Sequence, residues 1–202
     1  MHKIYITGIA GFIGFHIAEK LAMAGYEIGG VDDFNDYYDP ELKKARAKIL
    51  EDKYGIKTYN HDIEIIPWQH HLENYDGVIH LAAHAGVRHS LEYPQMYIDT
   101  NITGTQRLIH ACEYYEIPVV YASSSCVDSD HLNPYAWSKY VNEKQFESSK
   151  LLAAGLRFYT VYGEYGRPDM ALGLFAEAMA QGKPIDVYND GDMQRDFTYV
   201  GD

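Results

Sequence analysis

Residues 3–32 read KIYITGIAGFIGFHIAEKLAMAGYEIGGVD, and this stretch decides the fold. Lys3–Thr7 is a short strand-like run, Phe12–Ala24 carries apolar residues at three-and-four spacing, and Glu27–Val31 is a second strand-like run. Strand, helix and strand in so little chain predict a parallel pair crossed by a helix. Gly8, Gly11 and Gly14 occupy the turn where the first strand gives way to the helix. Small residues there let a phosphate approach the backbone, and the helix N-terminus offers free N–H groups and the positive end of its dipole. Asp32 follows Gly14 by eighteen residues and closes the second strand. A carboxylate at that point accepts hydrogen bonds from both hydroxyls of an adenosine ribose and repels a 2′-phosphate. The stretch therefore reads as a dinucleotide site that favours NAD over NADP.

Working outward, further strands are expected at Lys57–Tyr59, Gly77–Leu81, Pro118–Ala122 and Leu156–Thr160. Helices are expected at Pro40–Lys53, Gln95–Tyr115, Pro134–Lys150 and Leu172–Gln181. This alternation predicts an α/β fold, a doubly wound parallel sheet of Rossmann type over residues 1–181. Residues 182–202, with the short runs Ile185–Tyr188 and Phe197–Val200, read as the start of an incomplete substrate-binding subdomain. The chain of 202 residues has a formal net charge of −12, which argues against nucleic acid and anionic lipid as partners. Two cysteines, the absence of an apolar leader and apolar runs too short for a bilayer lead us to expect a soluble, cytoplasmic protein. His70, His71, His80, His84 and His89 make no metal-ligand pattern, so no metal is expected.

Tyr135 and Lys139 lie four apart on the helix opening at Pro134 and so share one stripe of its surface. An ammonium beside a phenol favours the phenolate, which suits a base that removes a proton from a sugar hydroxyl. Ser123, Ser124 and Ser125 end the fifth strand, at the edge where ligands of such sheets bind.

With these residues in place, the chain resembles the extended short-chain dehydrogenases/reductases, and among them the NAD-dependent nucleotide-sugar epimerases, most of all the UDP-glucuronate 4-epimerases. The stretches that carry the resemblance include HLAAHAGVRHSLEYPQMYIDTNITGT, YASSSCV, NPYAWSKYVNE and GLRFYTVYGEYGRPDMAL. The resemblance implies that Gly8, Gly11, Phe12, Ile13 and Gly14 hold a pyrophosphate, with Asp32 and Asn35 on the adenosine ribose and Asp62 and Ile63 at the adenine. Leu81, Ala82, Ala83 and Asn101 would line the way to the nicotinamide, with Phe158 near its end. Tyr135 would act as base and then acid, Lys139 as its electrostatic partner and ribose contact, and Ser124 as hydrogen-bonding helper, with Ser125 an adjacent alternative. Tyr159 and Thr160 would border the sugar, Arg195 would grip the nucleotide diphosphate, and Arg88 and Arg167 are further anion contacts. The implied ligands are NAD and a UDP-sugar, and the implied assembly is a homodimer through Gln95–Tyr115 and Pro134–Lys150.

Ser125 and Cys126 stand where sugar-nucleotide 4,6-dehydratases carry an Asp and a Glu, which disfavours that reaction. UDP-glucose 4-epimerase and a weakly active nucleotide-binding module remain the alternatives. The chain also departs from the family pattern. Only eleven positions separate Ser124 from Tyr135, the V-Y-G after the serine reads Val127, Asp128, Ser129, and the passage from Ser148 to Leu156 is short. These breaks, with the stop at Asp202, bear on sugar recognition more than on the chemistry at Tyr135.

Overall fold

Alternating side chains of the first strand divide the core in two. In the computed structural model, which describes residues 2–128 and 133–202, β1 (Lys3–Thr7) turns Tyr5 to one face of a sheet and Ile4 and Ile6 to the other. The face holding Ile6 is covered by α1 (Phe12–Met23) and α2 (Pro40–Tyr54), which contribute Phe15, Ala18 and Leu50. The face holding Tyr5 meets Trp68 and Leu72 of α3 (Trp68–Leu72), Leu108 and Cys112 of α6 (Thr105–Tyr115) and Phe146 of α7 (Pro134–Ser148). Strands buried on both faces need apolar side chains in both directions, which is why KIYIT shows no polar alternation.

Six strands make the main sheet, all parallel, in the order β3-β2-β1-β4-β5-β6. They are β2 (Glu27–Asp32), β3 (Thr58–Asn60), β4 (Gly77–His80), β5 (Val119–Ser124) and β6 (Ala153–Phe158) beside β1. The chain winds outward from β1 in one direction and then, from β4, in the other. The crevice between β1 and β4 is thus the topological switch point, where such sheets bind ligands. A second, two-stranded parallel ladder joins β7 (Thr160–Tyr162) to β8 (Phe197–Tyr199).

Local chemistry explains the element ends. Asp39 accepts from Glu41 N at 3.0 Å and Pro40 opens α2, while Gly55 closes it in the left-handed region. Asn133 accepts from Ala136 N at 2.9 Å and Pro134 opens α7.

Several expectations are corrected. The sixth strand begins at Ala153 rather than Leu156, because Ala153, Ala154 and Gly155 pair with β5 although small residues give little strand signal. Its expected end at Thr160 belongs instead to β7, since the chain changes sheets at Tyr159. Gln95–Tyr115 is three pieces: α5 (Pro94–Met96), a π-helical stretch at Tyr97–Gly104, and α6. The short helices α3 and α4 (Val87–Glu92) span too few turns to show a period. Residues 183–187 have no regular structure, and a 3₁₀ turn follows at Tyr188–Gly191, with Asn189 and Asp190 at positive φ. Ser129 lies outside the described residues.

The packing predicts a contrast between two leucines. Leu108 is fully buried and Leu152 is 82% exposed. Leu108→Ala should lower the unfolding free energy by about 2–5 kcal/mol, whereas Leu152→Ala should stay within about 0.5 kcal/mol of the parent. Urea denaturation of both variants checks this.

Candidate functional site

The β1–β4 crevice opens into a cavity of about 660 Å³. At one end lies the glycine turn. Gly8 has φ +70°, and a Cβ on Gly14 would stand 2.2 Å from the Gly8 carbonyl, so the turn and α1 are pressed together as only glycine permits. No side chain caps α1, which leaves the N–H groups of its first turn for an anion. Gly8, Gly11, Phe12, Ile13 and Gly14 all line the cavity there.

Asp32 sits at the neighbouring strand end, 6% exposed. Its two carboxylate oxygens each accept one backbone N–H, from Ala10 at 3.1 Å and Phe34 at 3.0 Å. Each oxygen keeps a lone pair, which is the acceptor set that the two hydroxyls of a vicinal diol require. Burial, with Asp33 adding to it, pushes the carboxyl up to about 6, against the pull of the two N–H groups and Lys43. Asn35 lines the same end and is held by Lys43, whose Nζ reaches the Asn35 carbonyl and Oδ1 at 2.8 Å each. Asp62 and Ile63 border this end as well.

Leu81, Ala82 and Ala83 form the wall leading to the far end. Asn101 stands behind that wall rather than in it. It is fully buried, accepts from His84 N at 2.8 Å, donates to the His84 carbonyl at 3.0 Å and donates to Ser138 Oγ at 2.9 Å. Its place is set by the π-helical stretch, whose wider turn carries it inward.

At the far end Ser124, Ser125, Tyr135, Lys139 and Phe158 converge. The lysine differs from expectation. Its Nζ donates to the Ala122 carbonyl at 2.9 Å, and burial pushes the amine down to about 8. Tyr135 stands above the usual phenol range because it is buried, with a hydrogen bond to Ser124 pulling the other way. The lysine-driven drop foreseen for the phenol is absent in this structure, since the ammonium is turned to a carbonyl.

Tyr159, Thr160, Arg88, Arg167 and Arg195 line the outer part of the cavity. Arg167 is paired with Asp169, Nε to Oδ1 at 3.0 Å, and its guanidinium lies 5.4 Å over the Tyr37 ring. Arg88 rests 5.8 Å over the ring of Tyr188, and Arg195 is exposed and donates to the Gln194 carbonyl at 2.7 Å. Sequence reasoning missed Lys43, Asp169 and the buried Arg46, which bonds the Ala10 carbonyl at 3.1 Å and the Tyr165 carbonyl at 2.6 Å. Arg46 thereby ties the glycine turn to a loop that lies 119 positions beyond Arg46 itself, a link no local pattern signals.

Comparison with known proteins places this arrangement. Residues 4–202 match the model of the NAD dependent epimerase/dehydratase family. The chain belongs to that family. NAD is the family's cofactor, and the free α1 N–H groups and the two open lone pairs of Asp32 suit its pyrophosphate and ribose. The chain is 42% identical to Protein CapI of Staphylococcus aureus, covering 99% of itself and 66% of that protein. It is 37% identical to UDP-glucuronate 4-epimerase 1 of Arabidopsis thaliana, covering 99% of itself and 52% of that protein. The crystal structure of UDP-glucuronic acid 4-epimerase from Bacillus cereus, in complex with UDP-glucuronic acid and NAD, superposes with a TM-score of 0.92. Identity there is 32%, over 98% of this chain and 69% of that one. The chain thus spans between half and about two thirds of the length of these relatives. The alignments with the first two run to 231 and 225 positions, more than the 202 residues of this chain, so both relatives carry residues inside the matched region that it lacks.

The raised Asp32 carboxyl predicts a pH dependence. Above about pH 6 both oxygens accept; as pH falls through 6, the carboxyl takes up a proton and loses an acceptor. NAD affinity should therefore weaken between pH 7.5 and pH 5, and Asp32→Ala should bind weakly at both. Calorimetric titration at the two pH values checks this.

Proposed function

We propose that the chain interconverts nucleotide sugars epimeric at C4, with UDP-glucuronate and UDP-galacturonate the preferred pair. One observation carries the reading: Ser124, Tyr135 and Lys139 meet in the same cavity as the glycine turn and Asp32. A proton-transfer group therefore faces the place where a dinucleotide held by that turn would end. When bound, NAD supplies a reversible acceptor for the hydride at C4. The chain's part is proton chemistry and orientation. Tyr135 takes the C4 hydroxyl proton and later returns it, and Ser124 shares the same oxygen. The raised phenol has to fall for this, and the Ser124 hydrogen bond and Arg167 act in that direction. Lys139, its amine lowered to about 8 by burial, can leave the Ala122 carbonyl for a ribose hydroxyl.

Three arginines at the outer end support an anionic substrate, a diphosphate joined to an acidic sugar. The relatives named as UDP-glucuronate 4-epimerases point the same way. Ser125 and Cys126 leave the position after Ser124 without the acid and base that a dehydratase uses. We take residues 1–181 as the cofactor-binding part and 182–202 as the sugar side. A second reading, NAD binding without turnover, is favoured by the exposure of residues 182–199 on that sugar side. The helices around Ile98 and Trp137, at 37% and 44% exposure, are the proposed contact of a homodimer, and a monomeric mass by light scattering contradicts it.

Incubation with UDP-glucuronate followed by proton NMR of the anomeric region should show UDP-galacturonate. Tyr135→Phe should lower turnover by about 10²–10⁴-fold while NAD affinity stays within about twofold. No conversion by the NAD-loaded parent leaves the second reading standing.

A further inference from the structure

His80 is a titratable group that the proposed chemistry does not use. It lies at the end of β4, 4% exposed, between two fully buried threonines. Its Nδ1 is 2.7 Å from Thr7 Oγ1 on the neighbouring strand, and its Nε2 is 2.9 Å from Thr105 Oγ1 on α6. The Thr7 hydroxyl has two further partners. Leu81 N is shared between the Thr7 carbonyl at 3.1 Å and this hydroxyl at 3.2 Å, and Ala82 N donates to the hydroxyl at 3.1 Å.

Proton counting fixes the directions. A threonine hydroxyl has two lone pairs and one hydrogen. Leu81 N and Ala82 N are donors only, and among the described residues the one acceptor within reach of the Thr7 hydrogen is His80 Nδ1, so the hydroxyl donates to that nitrogen. The ring hydrogen is then on Nε2 and goes to Thr105. A protonated ring would set a donor against the Thr7 donor, and burial, with the Lys139 charge adding to it, pulls the imidazole down to about 3.

The peptide fixed in this way lines the cavity. Leu81 and Ala82 form its wall, and a Cβ on Gly8 would come within 2.8 Å of Ala82 N, so the glycine turn leans on the same peptide. We propose that His80, as a neutral Nε2–H imidazole, is a positioning residue for the dinucleotide: it orients the Thr7 hydroxyl, which holds the Leu81–Ala82 peptide at the width the crevice needs. The inference rests on the crevice being the NAD site.

The asymmetry of the ring supplies the test. An asparagine carboxamide ends near the Nδ1 position and can still accept from Thr7, whereas a glutamine reaches the Nε2 position and serves Thr105. His80→Asn should bind NAD within about threefold of the parent, while His80→Gln and His80→Leu should weaken it about tenfold or more, the cost of a mispositioned or unpaired buried group. A role in stability alone predicts that NAD affinity follows the melting temperature and does not separate asparagine from glutamine. Equal NAD affinity of the Asn and Gln variants, or affinity unchanged in His80→Leu, overturns the proposal. Nitrogen-15 NMR of the ligand-free parent provides an arm independent of variant folding. The ring should show protonated Nε2 and bare Nδ1 throughout pH 5–8, and a protonated Nδ1 anywhere in that range overturns the proposal. If the parent itself binds no NAD, the reading of the crevice fails, and the NMR result still decides the relay.

Discussion

Gly8 lies against the peptide joining Leu81 to Ala82 so closely that no side chain fits between them, and the geometry of the cavity follows from that contact. It brings the ends of β1 and β4 together where the winding of the sheet reverses. The glycine turn, the N-terminus of α1 and the wall at Leu81–Ala83 are consequences of one approach. From the other side, Arg46 bonds the Ala10 carbonyl and holds the turn against the loop at Tyr165. The turn is thus held by contact with that peptide and by the Arg46 guanidinium.

Around this frame, the groups that can change charge are buried, and each carries the mark of it. Asp32 is raised to about 6, Lys139 lowered to about 8, and the Tyr135 phenol raised. Burial opposes the charged form in all three. A ligand that meets the Asp32 oxygens with hydroxyl donors and places positive charge near Tyr135 relieves the first and the third. The burial that opposes charge at these groups is offset by a ligand of that kind.

Much of this was legible in residues 3–32. The two-faced burial of β1 writes continuous hydrophobicity, the crossover writes the helical period, and the turn demands glycines at fixed places, so three local signals agree. The fold class followed, and so did several positions that line the cavity, because Gly8, Asp32, Ser124 and Tyr135 stand at strand ends or helix starts that the same patterns locate. What escaped depends on distance along the chain or on weak local signal. Ala153–Gly155 are strand only because β5 pairs with them. The π-helical turn at Tyr97–Gly104 differs from an α-helix by a shift in hydrogen bonding that composition does not mark. His80 meets partners 73 and 25 positions away, and Lys139 chooses a carbonyl over a phenol, which spacing alone does not reveal.

The central claim is that the β1–β4 crevice holds NAD against Asp32 at one end and Tyr135 at the other. Its most direct test is to denature the purified protein and identify what is released, by mass and by absorbance, while following the thermal shift of the intact protein with added NAD. The account predicts released NAD, or a stabilisation that saturates as NAD is added and is lost in Asp32→Ala. Protein that releases no nucleotide and melts at the same temperature with and without NAD would contradict it.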